Sequence, residues 1–193
     1  MVIYLSLLGI LGAIFGSFAS ALIPRLKSGR NMTHERSECP HCEHTLSWYD
    51  LIPVISWLST FGKCRYCHTS IPLYHISLEV VMILSFIGVG YFLGGIPTDT
   101  LGYFHIFLGL TAAFVGVVIV FYDLLYMEIP DAVVLPYIGI LGITLGVSQF
   151  IDWNFFGYFI AFDSVFLSSP LINAALGAGL IYTFFYLQIV ISK

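Results

Sequence analysis

Apolar residues in this chain come in long blocks separated by a few short polar stretches. Met1 to Ile23 contains no charged residue, and about 20 apolar residues are enough to cross a bilayer as a helix. Comparable blocks follow at Ile76–Gly95, Phe104–Tyr122, Ala132–Ile151 and Leu171–Ile191. The pattern predicts an all-α multi-pass membrane protein with about five transmembrane helices. Gly94-Gly95-Ile96-Pro97 punctuates the second block and opens a short turn over 96–103. Asp123 to Asp131 is a short polar connection. Residues 152–170 are aromatic, with Asp152 and Asp163 but no Lys or Arg, as expected of a loop dipping into the membrane interface. The remaining polar stretch, 24–75, is long enough for a small domain. Ala19-Ser20-Ala21 has the look of a signal-peptide cleavage site, but no basic residue precedes the first block, so a retained helix is expected. The expected segments are 1–24 (first helix), 25–75 (loop domain) and 76–193 (remaining helices).

Composition agrees: 59% of residues are hydrophobic and 9% charged, against roughly 25% charged in soluble domains. The distribution of charge says more than its net value. Arg25, Lys27, Arg30, Arg36, Lys63 and Arg65 all lie in the polar stretch, and Lys193 ends the chain. Basic residues flanking spans stay in the cytoplasm. The implied topology has the N-terminus outside, the 25–75 loop inside, and Asp123–Asp131 inside. Glu35, Glu38, Glu43 and Asp50 dilute the basic cluster, which excludes a nucleic-acid surface.

All four cysteines fall in that loop, as Cys39/Cys42 and Cys64/Cys67, two Cys-x2-Cys pairs separated by 21 residues. A cytoplasmic loop keeps thiols reduced. Two such pairs complete a closed tetrahedral zinc site, which organises a loop and leaves no position open for chemistry. The loop is therefore expected to be a zinc-ribbon-like domain, with Lys63 and Arg65 offsetting the charge of a zinc–tetrathiolate centre. His41, His44 and His68 leave open a site of three cysteines and one histidine.

Asp123 ends the third block, where an acid is either a functional group or the point at which a helix meets water. Asp131 then caps the next helix. Trp48, Tyr49 and Trp57 are either interfacial anchors or a surface for an apolar helix. Gly9, Gly12 and Gly16 are spaced for close helix approach.

Several stretches resemble the type IV prepilin peptidases, membrane aspartyl proteases of bacteria. They are Gly16-Ser17-Phe18 with Arg25-Leu26, Cys39-Pro-His-Cys42, Ser47-Trp48-Tyr49-Asp50, Ile52-Pro53-Val54-Ile55-Ser56-Trp57-Leu58, Gly62-Lys63-Cys64-Arg65-Tyr66-Cys67, Glu79, and Asp123 with Pro130-Asp131. The resemblance implies cleavage of leader peptides from type IV prepilins and pseudopilins at the cytoplasmic face of the bacterial inner membrane. It implies Asp123 as one of two catalytic aspartates. It also implies N-methylation of the new terminus with S-adenosylmethionine, for which Glu79 and Asp50 are the loop's candidate groups. Structural roles stand beside these: Asp50 capping a helix begun near Leu51, and Glu79 paired with Arg25 or another loop cation.

The chain departs from the family pattern at Ser20, Leu51 and Ile76, where Asn, Asn and Pro are usual. The family's second aspartate, in a Gly-x-Gly-Asp motif, has no counterpart, since Gly177-Ala-Gly179 is followed by Leu180. The expectation is a truncated chain, inactive alone, with an inactive zinc-loop membrane module as the alternative.

Overall fold

The computed structural model describes residues 1–29, 36–98 and 100–150, together with Gly179. These residues form α1 (Val2–Ser28), a 3₁₀ turn (Trp48–Leu51), α2 (Ile55–Ser59), α3 (Leu73–Phe92), α4 (Thr100–Tyr126) and α5 (Asp131–Phe150). β-structure among them is limited to two isolated bridges. α1, α3 and Gly102–Tyr126 of α4 are each long and apolar enough to cross a membrane. The protein is a multi-pass membrane protein with a small cysteine-bearing loop between its first two long helices. Apart from Gly179, the predicted helix at 171–191 and the aromatic stretch 152–170 fall outside the described residues. The chain divides into two compact units, Met1–Val134 and Leu135–Lys193. The loop and the helix ends that border it belong to the first.

Lipid tails are as apolar as leucine, so helices in a membrane associate through close packing. The α1 glycines provide it. A Cβ on Gly12 would stand 2.9 Å from the Ile83 Cα and from the Met82 carbonyl oxygen. One on Gly16 would stand 2.7 Å from the Glu79 Cα. Gly9 faces Ile87, and on α3 Gly90 receives Leu8 and Tyr4. These pairings run in opposite directions along the two helices, so α1 and α3 are antiparallel with their backbones nearly touching. The expected role of Gly9, Gly12 and Gly16 is what the structure shows.

α4 completes the unit. Its Val117, Val118, Phe121 and Tyr122 pack against Ala19, Leu22 and Ile23 of α1 and Leu78, Met82 and Phe86 of α3. This core fills the half of the three helices nearest the loop.

The helix boundaries differ from the block pattern in one informative place. α4 does not stop at Asp123; it continues through Leu124 and Leu125 to Tyr126. Leucine is a good helix former, and leaving the apolar environment does not by itself end a helix. Termination comes at Met127, whose φ is 54° and whose N–H bonds the Asp123 carbonyl at 2.7 Å. The polar connection thus shrinks to 127–130. Pro130 supplies the carbonyl that accepts the first α5 bonds, from Val133 and Val134 at 2.9 and 3.1 Å. Asp131 is therefore the first residue of α5 rather than its cap, with its carboxylate at the positive end of the helix dipole.

Gly16→Leu should destabilise the protein by about 1–3 kcal/mol through overpacking. Thermal unfolding in detergent checks this. Gly88→Ala, where the added carbon meets no atom of another element within 4 Å, should not lower the midpoint.

Candidate metal centre and acidic helix end

The two Cys-x2-Cys segments fold into the same turn. In the first, Cys39 N–H bonds the His44 carbonyl at 3.0 Å and Glu43 N–H bonds the Cys39 carbonyl at 2.9 Å. In the second, Cys64 N–H bonds the Thr69 carbonyl at 2.8 Å and His68 N–H bonds the Cys64 carbonyl at 2.9 Å. The flanking bonds Leu46 to Ser37 and Ile71 to Gly62 match as well, at 2.8 and 2.7 Å. The bridges Glu38–Thr45 and Lys63–Ser70 close both hairpins. Every element recurs at a fixed offset of about 25 residues, so the loop contains a structural repeat that the side chains conceal. The residue after the second cysteine turns with positive φ in both copies, 57° at Glu43 and 58° at His68. Glycine is the usual residue for such a turn, and neither copy has it.

The repeat brings the four thiols together. The sulfur atoms of Cys39, Cys42, Cys64 and Cys67 all lie within 4.8 Å of one another. Cys39 and Cys67 are separated by 3.8 Å, far beyond a disulfide bond of ~2.0 Å. Metal–sulfur bonds of ~2.3 Å in a tetrahedron put the sulfurs roughly 3.8 Å apart. The donor set thus fits a divalent ion with thiolate preference.

The thiols also divide charge unequally. The Thr69 hydroxyl, 3.4 Å from the Cys67 sulfur, and the Thr69 backbone N–H draw Cys67 down to about 6. For Cys42 the His44 backbone N–H favours the thiolate, but burial and the neighbouring thiols outweigh it and push the group up to about 11. Crowded thiols compete for one negative charge, a competition that a bound cation removes.

The loop carboxylates have firm partners. Asp50 does not cap a helix starting near Leu51; it lies within the 3₁₀ turn Trp48–Leu51 and reaches back to the Ser47 N–H at 3.1 Å. It also accepts from Arg65 Nε at 3.0 Å and from the Tyr66 hydroxyl at 2.9 Å. Arg65 is thereby committed to Asp50, with the Tyr49 ring 5.4 Å from its guanidinium carbon, instead of standing free to offset thiolate charge. Burial works to raise Asp50, but the Arg65, Tyr66 and Ser47 donors outweigh it and hold the carboxyl below its ordinary value. Asp50 therefore latches the 3₁₀ turn onto the second cysteine hairpin.

Glu79 is buried in α3 and accepts the Val54 N–H at 2.7 Å. The Ser17 hydroxyl lies beside this carboxylate and donates to the Leu51 carbonyl at 3.4 Å. The sequence suggested a cation as its partner; the carboxylate holds a strained backbone instead. Val54 has φ 62° and ψ −49°, an outlier for a β-branched residue. No sequence signal marked Val54, since nothing in its side chain requires that conformation. Trp57 also differs from the expected anchor: its ring packs against Gly62, where an added Cβ would approach to 2.6 Å.

Asp123 and Asp131 are exposed at the end of α4 and the start of α5. Glu128 in their connection accepts from Lys27 Nζ at 2.7 Å, and that ammonium lies 5.4 Å from the Tyr126 ring centroid. The basic end of α1 is thus clipped to the acidic connection.

Residues 10–93 match the family described as the bacterial peptidase A24 N-terminal domain. That stretch includes α1 from Ile10 onward, both cysteine hairpins and α3; Asp123 lies beyond it. The chain is 36% identical over 77 residues to a prepilin leader peptidase/N-methyltransferase of Myxococcus xanthus, covering 40% of this chain and 23% of that protein. It is 27% identical over 181 residues to the protein of the same name from Vibrio cholerae, covering 89% and 69%. The Bacillus subtilis protein of that name is 28% identical over 149 residues, covering 77% and 57%. The chain thus spans less than a quarter of the first of these and somewhat over half of the last. No solved structure matches.

Because the folded protein holds Asp50 below its ordinary value, this latch stabilises above the unfolded carboxyl value of ~4 and is lost as pH falls through the folded value. The stability difference between the wild type and Asp50→Asn should be constant above pH ~5 and close at lower pH. Thermal unfolding across that range measures it.

Proposed function

We propose that the chain is a member of the prepilin peptidase family and forms part of a membrane aspartyl peptidase that removes leader peptides from prepilins or pseudopilins at the cytoplasmic face, as its similarity to prepilin leader peptidases supports. The observation that supports this reading is an exposed aspartate, Asp123, in the last turn of an apolar helix, next to the Pro130-Asp131 helix start. In this position a carboxylate meets both the membrane surface and water. Asp123 acts as one of two acids: one carboxylate takes a proton from the attacking water while the other protonates the departing amine. Among the loop and connection acids, Asp50 and Glu79 hold the loop and Glu128 is paired with Lys27. In this reading the second acid is Asp131 or a residue downstream of the described ones.

The four cysteines hold a structural zinc ion that joins the two hairpins and has no open coordination position. The loop faces the cytoplasm and the N-terminus the outside, because the Lys and Arg residues gather on the loop side. The relatives' names include an N-methyltransferase, for which S-adenosylmethionine is the methyl donor in this reading. Glu79 and Asp50 are the candidate groups beside that reaction, each held in place by its hydrogen bonds to the loop.

Bound zinc measured by mass spectrometry should be about one per chain and should fall sharply in Cys64→Ser, with faster proteolysis between residues 43 and 63. Cleavage is tested in liposomes containing a matched prepilin, with this chain and with the chain extended by its downstream coding sequence. The extended form should cut, and Asp123→Asn should slow it about 10²–10⁴-fold. Activity in this chain that Asp131→Asn abolishes would place the second acid at Asp131. An inert extended form would favour a zinc-loop module without catalysis.

A further inference from the structure

The loop reaches back along the helices instead of standing clear of them. Ser17, which lies 3.4 Å from the Leu51 carbonyl, precedes Arg25, the first charged residue of α1, by eight positions. At 1.5 Å per residue that separation is about 12 Å. Glu79, which holds Val54, is six residues into α3, about 9 Å from its start. Both tethers therefore fix residues 51–54 beside the apolar parts of α1 and α3. The hydrocarbon core is ~30 Å thick, so this depth lies within one leaflet.

The side chains carried there suit that position. Between Trp48 and Phe61 the only charged residue is Asp50, which turns back to Arg65 and Tyr66. Trp48 is 77% exposed, Ile55 63%, Leu58 55% and Phe61 88%. Ile55 and Leu58 share one face of α2, three positions apart. Non-helical backbone survives at membrane depth only where protein groups satisfy it. Here Ser56, Leu58 and Thr60 N–H groups bond the carbonyls of Ile52, Val54 and Ser56 at 3.0, 3.0 and 3.2 Å. The Ser59 and Thr60 hydroxyls return to the Ser56 carbonyl at 2.9 and 3.0 Å. The strained Val54 N–H takes the Glu79 carboxylate, and the Leu51 carbonyl faces the Ser17 hydroxyl.

We propose that residues 48–61 form a re-entrant element seated in one leaflet, with lipid acyl chains packed against Trp48, Ile55, Leu58 and Phe61. The inference requires that α1 and α3 span the bilayer and is independent of peptidase activity. It gives the loop domain a fixed depth and makes lipid, not water, the neighbour of its apolar face.

The test uses the full chain, loaded with zinc, in vesicles. Trp57→Phe and Trp153→Phe leave Trp48 as the sole indole. Lipids brominated on the acyl chains should remove most of its emission, while aqueous iodide should remove little. Quenching by iodide with no effect of brominated lipid overturns the proposal. So does a Trp48 that is open to iodide in lipid alone and becomes shielded only when an apolar prepilin peptide is added, which would assign the surface to protein. Trp57 packs on Gly62, so an unsubstituted chain provides a second measurement. A lipid-soluble photoactivated carbene should label Ile55, Leu58 and Phe61 along with the outer faces of α1 and α3. Label confined to the long helices overturns the proposal.

Discussion

The arrangement of the first unit depends on how closely α1 and α3 approach at Gly12 and Gly16. With hydrogen in place of a side chain at both positions, the α1 backbone lies against Met82, Ile83 and Glu79. Dispersion forces fall off steeply with separation, so this contact is a strong source of association where the hydrophobic effect is absent. It also sets the geometry of everything beyond it. Gly16 sits one residue before Ser17 and faces Glu79, so the same close approach delivers a hydroxyl and a carboxylate to one place. Those two groups hold the carbonyl of Leu51 and the N–H of Val54, and the loop position follows from them.

Much of this was legible in the sequence, for identifiable reasons. Block hydropathy reports the solvent around each segment, so α1, α3, α4 and the start of α5 could be read from it. Cysteine spacing reports ligand geometry, and the four sulfurs converge as two Cys-x2-Cys pairs require. Relationships carried by backbone were not legible. The duplicated hairpin consists of hydrogen bonds between N–H and C=O groups, and only its cysteines repeat as residues. Glu43 and His68 take the left-handed turn without the glycine that would have marked it. The strained Val54 donates its N–H to Glu79, a relation between residues 25 positions apart.

The same distinction explains the reassigned acids. Asp50 and Glu79 read equally well from sequence as reactive groups or as structural ones, because a carboxylate's role is set by the donors around it. Here the donors are Arg65, Tyr66 and Ser47 for the first, and the Val54 N–H for the second. Asp123 differs from both. Its helix continues for three more residues, Leu124, Leu125 and Tyr126, so the carboxylate stands on a helix instead of in a loop. A group fixed in this way loses little freedom when it meets a substrate. The Lys27–Glu128 pair is partly exposed and contributes little energy, but it ties the neighbouring connection to α1.

The two hairpins have a consequence for chain entropy. Their sulfurs meet at one point, so a metal ion bound there would close the segment between them into a ring. Cross-linking a ring of this size removes about 3 kcal/mol of unfolded-state entropy on the scale used for disulfides. A strand anchored at one end can slide, exchange its register or be drawn out a residue at a time. A segment closed by a bound ion could not: its apex would enter or leave its surroundings as one body, and the ion would set the length of chain that can do so.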